Sequence, residues 1–288
     1  LVSARIGAPA AAVIDVLFLP VLASLIGREI VLGRSTHNLK VLVLVALLLA
    51  GNVTFHIEAL RSSAFDGYGV RLGIGAAVLL ITLIGGRIVP SFTRNWLARR
   101  APGRMPAPFG RFDTAAVAAG AVALAAWVAA PSHGVTALLA LAAGLLHAVR
   151  LARWAGYRTW PEPLVLVLHA GYAFVPIGFL LVALGIAAPA LILPTGAVHG
   201  WTAGAIGLMT LAVMTRASLG HTGRPLTATL PIQLIYLCAL TAATARIVAA
   251  FDIARTPLLS LSATAWVAAF AGFAVVYWPL LTRSRAAG

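Results

Sequence analysis

Long apolar runs separated by short polar gaps dominate the pattern of hydrophobic and polar positions along this chain. A bilayer core about 30 Å thick requires roughly 20 apolar residues in a helix. The runs lack the period-two alternation of strands, so helices are predicted. The nine predicted spans are residues 9–27, 39–60, 71–90, 113–131, 133–151, 163–184, 196–215, 227–250 and 258–281. The pattern predicts an all-α fold, a polytopic integral membrane helical bundle, with residues 1–288 forming a single transmembrane domain.

Composition and charge support a membrane protein and predict its orientation. Of the 288 residues, 61% are hydrophobic and 10% are charged, which is too apolar for an ordinary soluble domain. The net charge is +14, but the basic residues concentrate in the gaps after predicted helices one, three, five, seven and nine. The positive-inside rule makes those gaps and the C-terminus cytoplasmic. We therefore expect the lipid bilayer, and no nucleic acid, as the partner of this charge.

The same rule places Leu1 on the outer side of the membrane. The chain does not begin with Met and has no signal-peptide pattern. We therefore expect an N-terminally truncated piece that lacks an odd number of helices.

Ionisable residues inside apolar spans are costly and are therefore candidates for function. His56 in the second predicted helix and His199 in the seventh are expected at similar depth in the outer half of the membrane. Two neutral imidazoles on different helices could ligate a haem or hold copper. Hydrogen bonds between helices are the alternative. Asp15, in the first helix, is expected to pair with an arginine or to be protonated.

Three further histidines are interpreted from their positions along the predicted helices. His169 lies one or two turns into the sixth helix, where a ligand, a proton relay and a structural hydrogen bond are all open and the structural role is favoured. His133 and His147 lie near span ends and are expected at the interface rather than as ligands. Gly200 and Gly204 form a GxxxG pair, which predicts close helix packing.

Two segments place arginines beside Gly, Pro and hydroxyl groups at the predicted cytoplasmic face. In the first, "GGRIVPSFTRN", Pro90 is expected to end or kink the helix. The second, "TRASLGHTGRP", is expected to form a short loop. Guanidinium groups bind carboxylates and phosphates bidentately, so a joint anion site is predicted, with positive-inside topology as the alternative. The candidate contacts are Arg87, Arg216, His221 and Arg224.

The strings "GGRIVPSFTRNWLARR" (residues 85–100) and "HGWTAGAIGLMTLAVMTRASLGHTGRP" (residues 199–225) resemble the two hallmark segments of the NnrS family. "NVTFHIEAL" and "VLHAGYAFVPIGFLL" also occur in the expected order, so the resemblance covers essentially the whole chain. NnrS proteins are bacterial inner-membrane proteins linked to nitric oxide. No P-loop, GxSxG, HExxH or dinucleotide fingerprint supports a competing enzyme class.

The resemblance implies a haem- and copper-containing protein of the nitric oxide response, associated with denitrification and nitrosative stress. The family typically has twelve helices, which implies that about three helices and an upstream His-Ala-His-Glu-Met type string are missing here. His56, His169 and His199 become candidate haem or copper ligands, with His56 and His199 as the metal candidates. Arg87, Arg216, His221 and Arg224 become candidate propionate contacts.

Two readings from other functional classes stay open at this point. One is a transporter with a solute path lined by Asp15, Asn52, Glu58 and Arg87. The other is an accessory subunit of a denitrification or respiratory complex. The sequence does not decide whether the protein is an enzyme.

Overall fold

The computed structural model describes residues 3–34, 39–61, 67–100 and 102–282. Within these residues nine helices are long and apolar enough to span a membrane, and no strand occurs. We label them α1 to α9 in chain order: Ala8–Leu32, Leu39–Arg61, Tyr68–Leu97, Arg111–Ala129, Gly134–Ala152, Pro163–Ala187, Pro194–His221, Leu230–Ala249 and Arg255–Thr282. The short helix Ser3–Ile6 and the 3-10 turn Gly156–Thr159 lie outside them. The predicted all-α, polytopic membrane fold is confirmed.

Several helices begin where a side chain accepts a hydrogen bond from an otherwise unpaired backbone N–H. Glu162 precedes α6, and its carboxylate accepts from the backbone N of Leu164 at 3.3 Å. His133 precedes α5, and its Nδ1 accepts from the backbone N of Val135 at 3.2 Å. Such caps stabilise the first helical turn, which cannot satisfy its own N–H groups.

Helices α3 and α7 extend beyond the predicted spans at the predicted cytoplasmic face. Pro90 was expected to end or kink its helix; it does not end it, because α3 continues to Leu97, and the kink stays a prediction. The expected loop "TRASLGHTGRP" is also helical up to His221. At 1.5 Å per residue, helices of about 30 residues are roughly 45 Å long, well beyond a 30 Å core. Hydropathy detects only the part of a helix that lies within the bilayer core, so it places the ends of α3 and α7 too early.

Helix α7 is irregular near its beginning. A π-helical segment, Gly200–Leu208, separates a short α-helical turn from the regular helix that starts at Met209. The glycines of this segment allow close packing, since a Cβ on Gly200 would lie 2.7 Å from the Cα of Gly178 in α6. A Cβ on Gly204 would meet the Phe174 ring of the same helix. The predicted packing role of Gly200 and Gly204 is confirmed.

The chain divides into two compact units, comprising residues 1–80 with 124–131 and residues 81–123 with 132–288. In the first unit, α1 and α2 pack together, and only 6% and 11% of their most apolar stretches of 18 residues are buried. In the second unit, α6 packs against α5 and α7, and 72% of its most apolar stretch of 18 residues is buried. Helix α6 is therefore the core of the second unit, whereas α1 and α2 expose apolar surface of the kind that lipid covers.

Candidate functional site

Three polar side chains meet between α1 and α2 in the first unit. Asp15 lies on α1, while Asn52 and His56 lie one turn apart on α2. The Nδ2 of Asn52 donates to the Oδ2 of Asp15 at 2.7 Å, and the Nε2 of His56 contacts the same oxygen at 2.9 Å. Of the two expectations for Asp15, pairing with an arginine is wrong, because its partners are an amide and an imidazole, and protonation stays a prediction. We call these three residues the α1–α2 polar cluster.

The hydrogen bond from His56 to a carboxylate decides which of its ring nitrogens carries a proton. An ionised Asp15 only accepts hydrogen bonds, so with it the Nε2 of His56 is protonated and, in the neutral ring, the lone pair lies on Nδ1. Histidines that ligate metals usually donate their other ring N–H to a carboxylate or carbonyl in this way. The α1–α2 polar cluster therefore has the chemistry of an oriented imidazole ligand.

Glu58, also on α2, has a different role. Its carboxylate oxygens accept from the backbone N of Tyr68 at 2.8 Å and of Gly69 at 3.0 Å, at the start of α3. A carboxylate at a helix N-terminus stabilises both the unpaired N–H groups and the helix dipole. This local structural contact accounts for Glu58, which the transporter reading had assigned to a solute path.

His199 lies at the start of the π-helical segment of α7, in the second unit. Its Nδ1 contacts the hydroxyl of Thr202 at 3.3 Å, and its Nε2 accepts a hydrogen bond from the Nε of Arg246, on α8, at 3.1 Å. Because Nε2 accepts, the neutral ring carries its proton on Nδ1 and presents an Nε2 lone pair to the arginine.

Two cavities of about 410 and 320 Å³ meet at His199 and Arg246, which line both. The larger one is walled mainly by apolar residues of α9, including Leu259, Trp266 and Val267. An imidazole lone pair, a guanidinium and an aromatic wall thus lie around one mainly apolar space. This combination could accept a flat apolar group that carries anionic side arms.

His169 is buried in the second unit. Its Nε2 lies 2.7 Å from the hydroxyl of Thr93, which in turn donates to the backbone O of Val89 at 2.8 Å. A hydroxyl has one proton, so the arrangement that satisfies both contacts has the Nε2–H of His169 donating to Thr93. The Nδ1 lies against Gly156, where a Cβ would be 2.5 Å away, and has no hydrogen-bond partner. This packing suits a structural histidine better than a ligand beside a cavity.

A buried polar network in the second unit was not predicted. Arg150 on α5 donates from Nε to the Oδ1 of Asp113 at 3.1 Å and from Nη1 to the backbone O of Thr82 at 2.9 Å. Nη1 also donates to the hydroxyl of Tyr172 at 2.8 Å, and that hydroxyl contacts the Nδ1 of His147 at 3.0 Å. Both Arg150 and His147 are fully buried.

The burial and contacts of His147 suit a structural role. The Tyr172 hydroxyl accepts from Arg150 and also contacts the Nδ1 of His147, which holds the ring in place. His147 was expected at the interface, and that prediction is wrong because its ring stacks on Phe179 inside the bundle, with centroids 5.7 Å apart. His133 is exposed and caps α5.

The predicted anion contacts separate into different places. The guanidinium of Arg216 lies over the ring of Phe92, 4.2 Å from its centroid, so α7 does meet the end of α3. Arg87 instead lines a smaller cavity of about 210 Å³. His221 ends α7 and is exposed, as is Arg224 in the following turn. Of the four candidates, the structure thus brings Arg216, and none of the other three, to a second and larger cavity at this end of α7.

The larger cavity measures about 560 Å³. Arg216 and two arginines that follow α3 line it together with a single carboxylate, so the wall carries a net positive charge. The lining residues are Phe92, Asn95, Trp96, Arg99, Arg100, Glu162, Val165, Arg216 and Leu226.

No group of three or more His, Cys, Asp or Glu side chains suited to a metal ion occurs among the residues that the structure describes. The α1–α2 polar cluster supplies one imidazole and one carboxylate, and His199 supplies one imidazole. Each candidate site therefore offers part of a ligand set, which fits an axial ligand or an incomplete metal site rather than a closed structural one.

The long apolar helices, with buried ionic and imidazole groups between them, define a multi-pass helical membrane protein. A family model described as NnrS protein matches residues 1–285, nearly the whole chain. The chain therefore belongs to the NnrS family. No curated protein and no solved structure matches it.

Proposed function

We propose that this chain is a haem- and copper-associated membrane protein of the bacterial nitric oxide response. His199 is the haem ligand, and His56, oriented by Asp15, is a copper ligand. Membership of the NnrS family links the chain to nitric oxide. The observation that carries the proposal is the Nε2 lone pair of His199 at the wall of a mainly apolar cavity.

The surroundings of His199 fit a haem. The cavity offers apolar and aromatic walls on α9, which suit a porphyrin face, and Arg246 offers a guanidinium for a propionate. For the iron to take the Nε2 lone pair, Arg246 must leave its contact at 3.1 Å. The bound haem would supply an iron that binds nitric oxide, and an uncharged gas can enter this site from the surrounding lipid.

Arg246, rather than Arg216, is the propionate partner in this proposal. His199 and Arg216 lie at opposite ends of α7, and 17 residues of helix span roughly 25 Å. That separation exceeds what one porphyrin ligated at His199 can bridge. The cavity beside Arg216 is therefore not part of the proposed haem site.

The α1–α2 polar cluster suits a copper ion better than a haem. It combines the Nδ1 of His56, whose ring Asp15 orients, with the buried amide oxygen of Asn52, which has no hydrogen-bond partner. Nitrogen and oxygen donors of this kind favour Cu(II). Asp15 would fix the ring of His56 and increase its basicity. His169 keeps a structural role, since its Nε2 bonds to Thr93.

We also infer the orientation and location of the chain. The basic residues after α1, α3, α5 and α7 support cytoplasmic positions for those loops and for the C-terminus. A bacterial inner membrane agrees with the family. In that membrane, nitric oxide would reach the proposed haem site at His199 through the bilayer.

The test is the iron and copper content of the purified full-length protein carrying single substitutions. We expect His199→Ala to lose haem iron and keep copper, and His56→Ala to lose copper and keep haem. His133→Asn is the matched control, because the exposed His133 caps α5 and asparagine also caps helices well. Both metals should be retained there.

Full iron and copper content in His199→Ala and His56→Ala would overturn the ligand assignment. A wild-type protein that stays free of both metals when haem and copper are supplied during expression would overturn the proposed function. In that case a transport or accessory role becomes the better account.

A further inference from the structure

The small cavity that Arg87 lines lies beside α3, away from His199. It measures about 210 Å³ and is lined by ten residues, among them Gly86, Arg87, Ser91 and Arg94 on α3 and Asp113 on α4. Positions 87, 91 and 94 are spaced by four and three residues, so they share one face of α3. The segment "GGRIVPSFTR" thus forms one wall of the cavity, and its polar residues on that wall share one face of α3.

The charge around this cavity is positive. The single carboxylate on the wall, Asp113, is already paired with Arg150 at 3.1 Å, and Arg153 lies 3.8 Å from its other oxygen. Arg87 and Arg94 add two further cations to the wall. Arg94 is held at the cavity by a hydrogen bond from its Nη2 to the backbone O of Pro106 at 2.7 Å. An anion entering here meets more positive than negative charge.

A buried donor lies behind the same wall. Arg150 is fully buried, and its Nη2 has no hydrogen-bond partner. That atom lies against Gly86, in the space where a Cβ would otherwise be. Gly86 lines the cavity, so this donor lies against one of the cavity's lining residues. An unsatisfied buried donor is unfavourable, and an acceptor bound beside Gly86 would relieve this cost.

We propose that this cavity binds a compact anionic oxygen group, and that Arg94 and Ser91, which line it, recognise the group, with the Nη2 of Arg150 beside Gly86 as a further donor. The volume corresponds to only a few small molecules, since a water takes up about 30 Å³ in the liquid. A nucleotide is therefore too large, whereas a phosphate-sized oxyanion or a single carboxylate fits. The proposal is independent of haem binding at His199.

The anion could be a free inorganic oxyanion or the carboxylate of a larger molecule. Thermal unfolding of the purified full-length protein distinguishes them, because a ligand that binds the folded state raises the Tm with its concentration. Inorganic phosphate and acetate are titrated separately against chloride at equal ionic strength. A Tm rise with phosphate alone identifies an inorganic oxyanion, and a rise with acetate identifies a carboxylate.

Arg94→Gln tests the site directly. We expect the apparent Kd for the stabilising anion to increase at least about tenfold, because a charge-assisted hydrogen bond is lost. Arg94→Lys keeps the charge without the planar fork and should weaken binding less. Arg111→Gln is the matched control, since Arg111 is exposed at the start of α4 and lines none of the cavities described above. Its Kd should equal that of the wild type.

Two results would overturn the proposal. One is an equal Tm in phosphate, acetate and chloride. The other is stabilisation that survives both Arg94 substitutions but disappears in Arg216→Gln, which would place the anion in the larger cavity instead.

Discussion

The buried ion pair between Arg150 and Asp113 allows a quantitative prediction. Arg150→Met keeps an apolar side chain of comparable length but removes the guanidinium. The Asp113 carboxylate, only 5% exposed, then keeps the backbone N of Gly110 at 3.1 Å and the more distant Arg153 at 3.8 Å. Removing one partner of a buried pair typically destabilises a protein by 3–5 kcal/mol, because the other charge stays buried.

We therefore expect Arg150→Met to lower the free energy of unfolding by about 4 kcal/mol. For a domain of this size, 1 kcal/mol corresponds to roughly 2–4 °C in Tm, so the Tm should fall by about 10 °C. The assay is thermal unfolding of purified protein in detergent. Arg111→Met, at an exposed position of α4, serves as the control and should stay within about 0.5 kcal/mol of the wild type.

The double variant Arg150→Met with Asp113→Asn tests the cause. Asparagine removes the uncompensated charge, so the double variant should be more stable than Arg150→Met alone. The reasoning is refuted if Arg150→Met stays within 1 kcal/mol of the wild type, or if the two substitutions destabilise additively.

Three further predictions follow from single positions. Gly86→Ala should lower the Tm, because its Cβ would overlap the Arg150 guanidinium, whereas Gly110→Ala, with nothing within 4 Å, should change it little; equal Tm values would contradict this packing. Asp15→Asn should reduce copper affinity roughly 10- to 100-fold, as loss of a carboxylate behind a ligating histidine does, and unchanged affinity by metal titration would exclude that role. With Cys238 replaced by serine, Met105→Cys should resist a membrane-impermeant maleimide in intact cells, because the loop between α3 and α4 is predicted to be cytoplasmic. Leu191→Cys, in the loop between α6 and α7 on the opposite side, should react. The reverse labelling would invert the topology.

Hydropathy alone predicted the number and order of the membrane helices. Apolar length determines whether a segment can span a bilayer, and that property is local in the sequence. The ends of α3 and α7 were placed too early, because a helix can continue into water with polar side chains. The hydroxyl of Thr222, for example, donates to the backbone O of Ser218 at the end of α7. The hydroxyl groups near this end thus help to terminate a helix.

Contacts between helices were the part that the sequence did not predict. Asp15 and His56 are 41 residues apart, and Asp113 and Arg150 are 37 apart. Arg150 looked like an ordinary cytoplasmic arginine because it lies at a span end. One signal was available: Asp113 begins one predicted helix and Arg150 ends the next, so opposite charges occur at similar depth on neighbouring antiparallel helices.

The most direct test of the central claim is a reduced-minus-oxidised optical spectrum of the purified full-length protein, recorded with and without nitric oxide. The account predicts a haem band that shifts when nitric oxide binds, that is absent from His199→Ala, and that is retained in His133→Asn. A haem band of unchanged position and intensity in His199→Ala would contradict His199 as the ligand. The absence of any haem band in wild-type protein expressed with haem would contradict the proposed function itself.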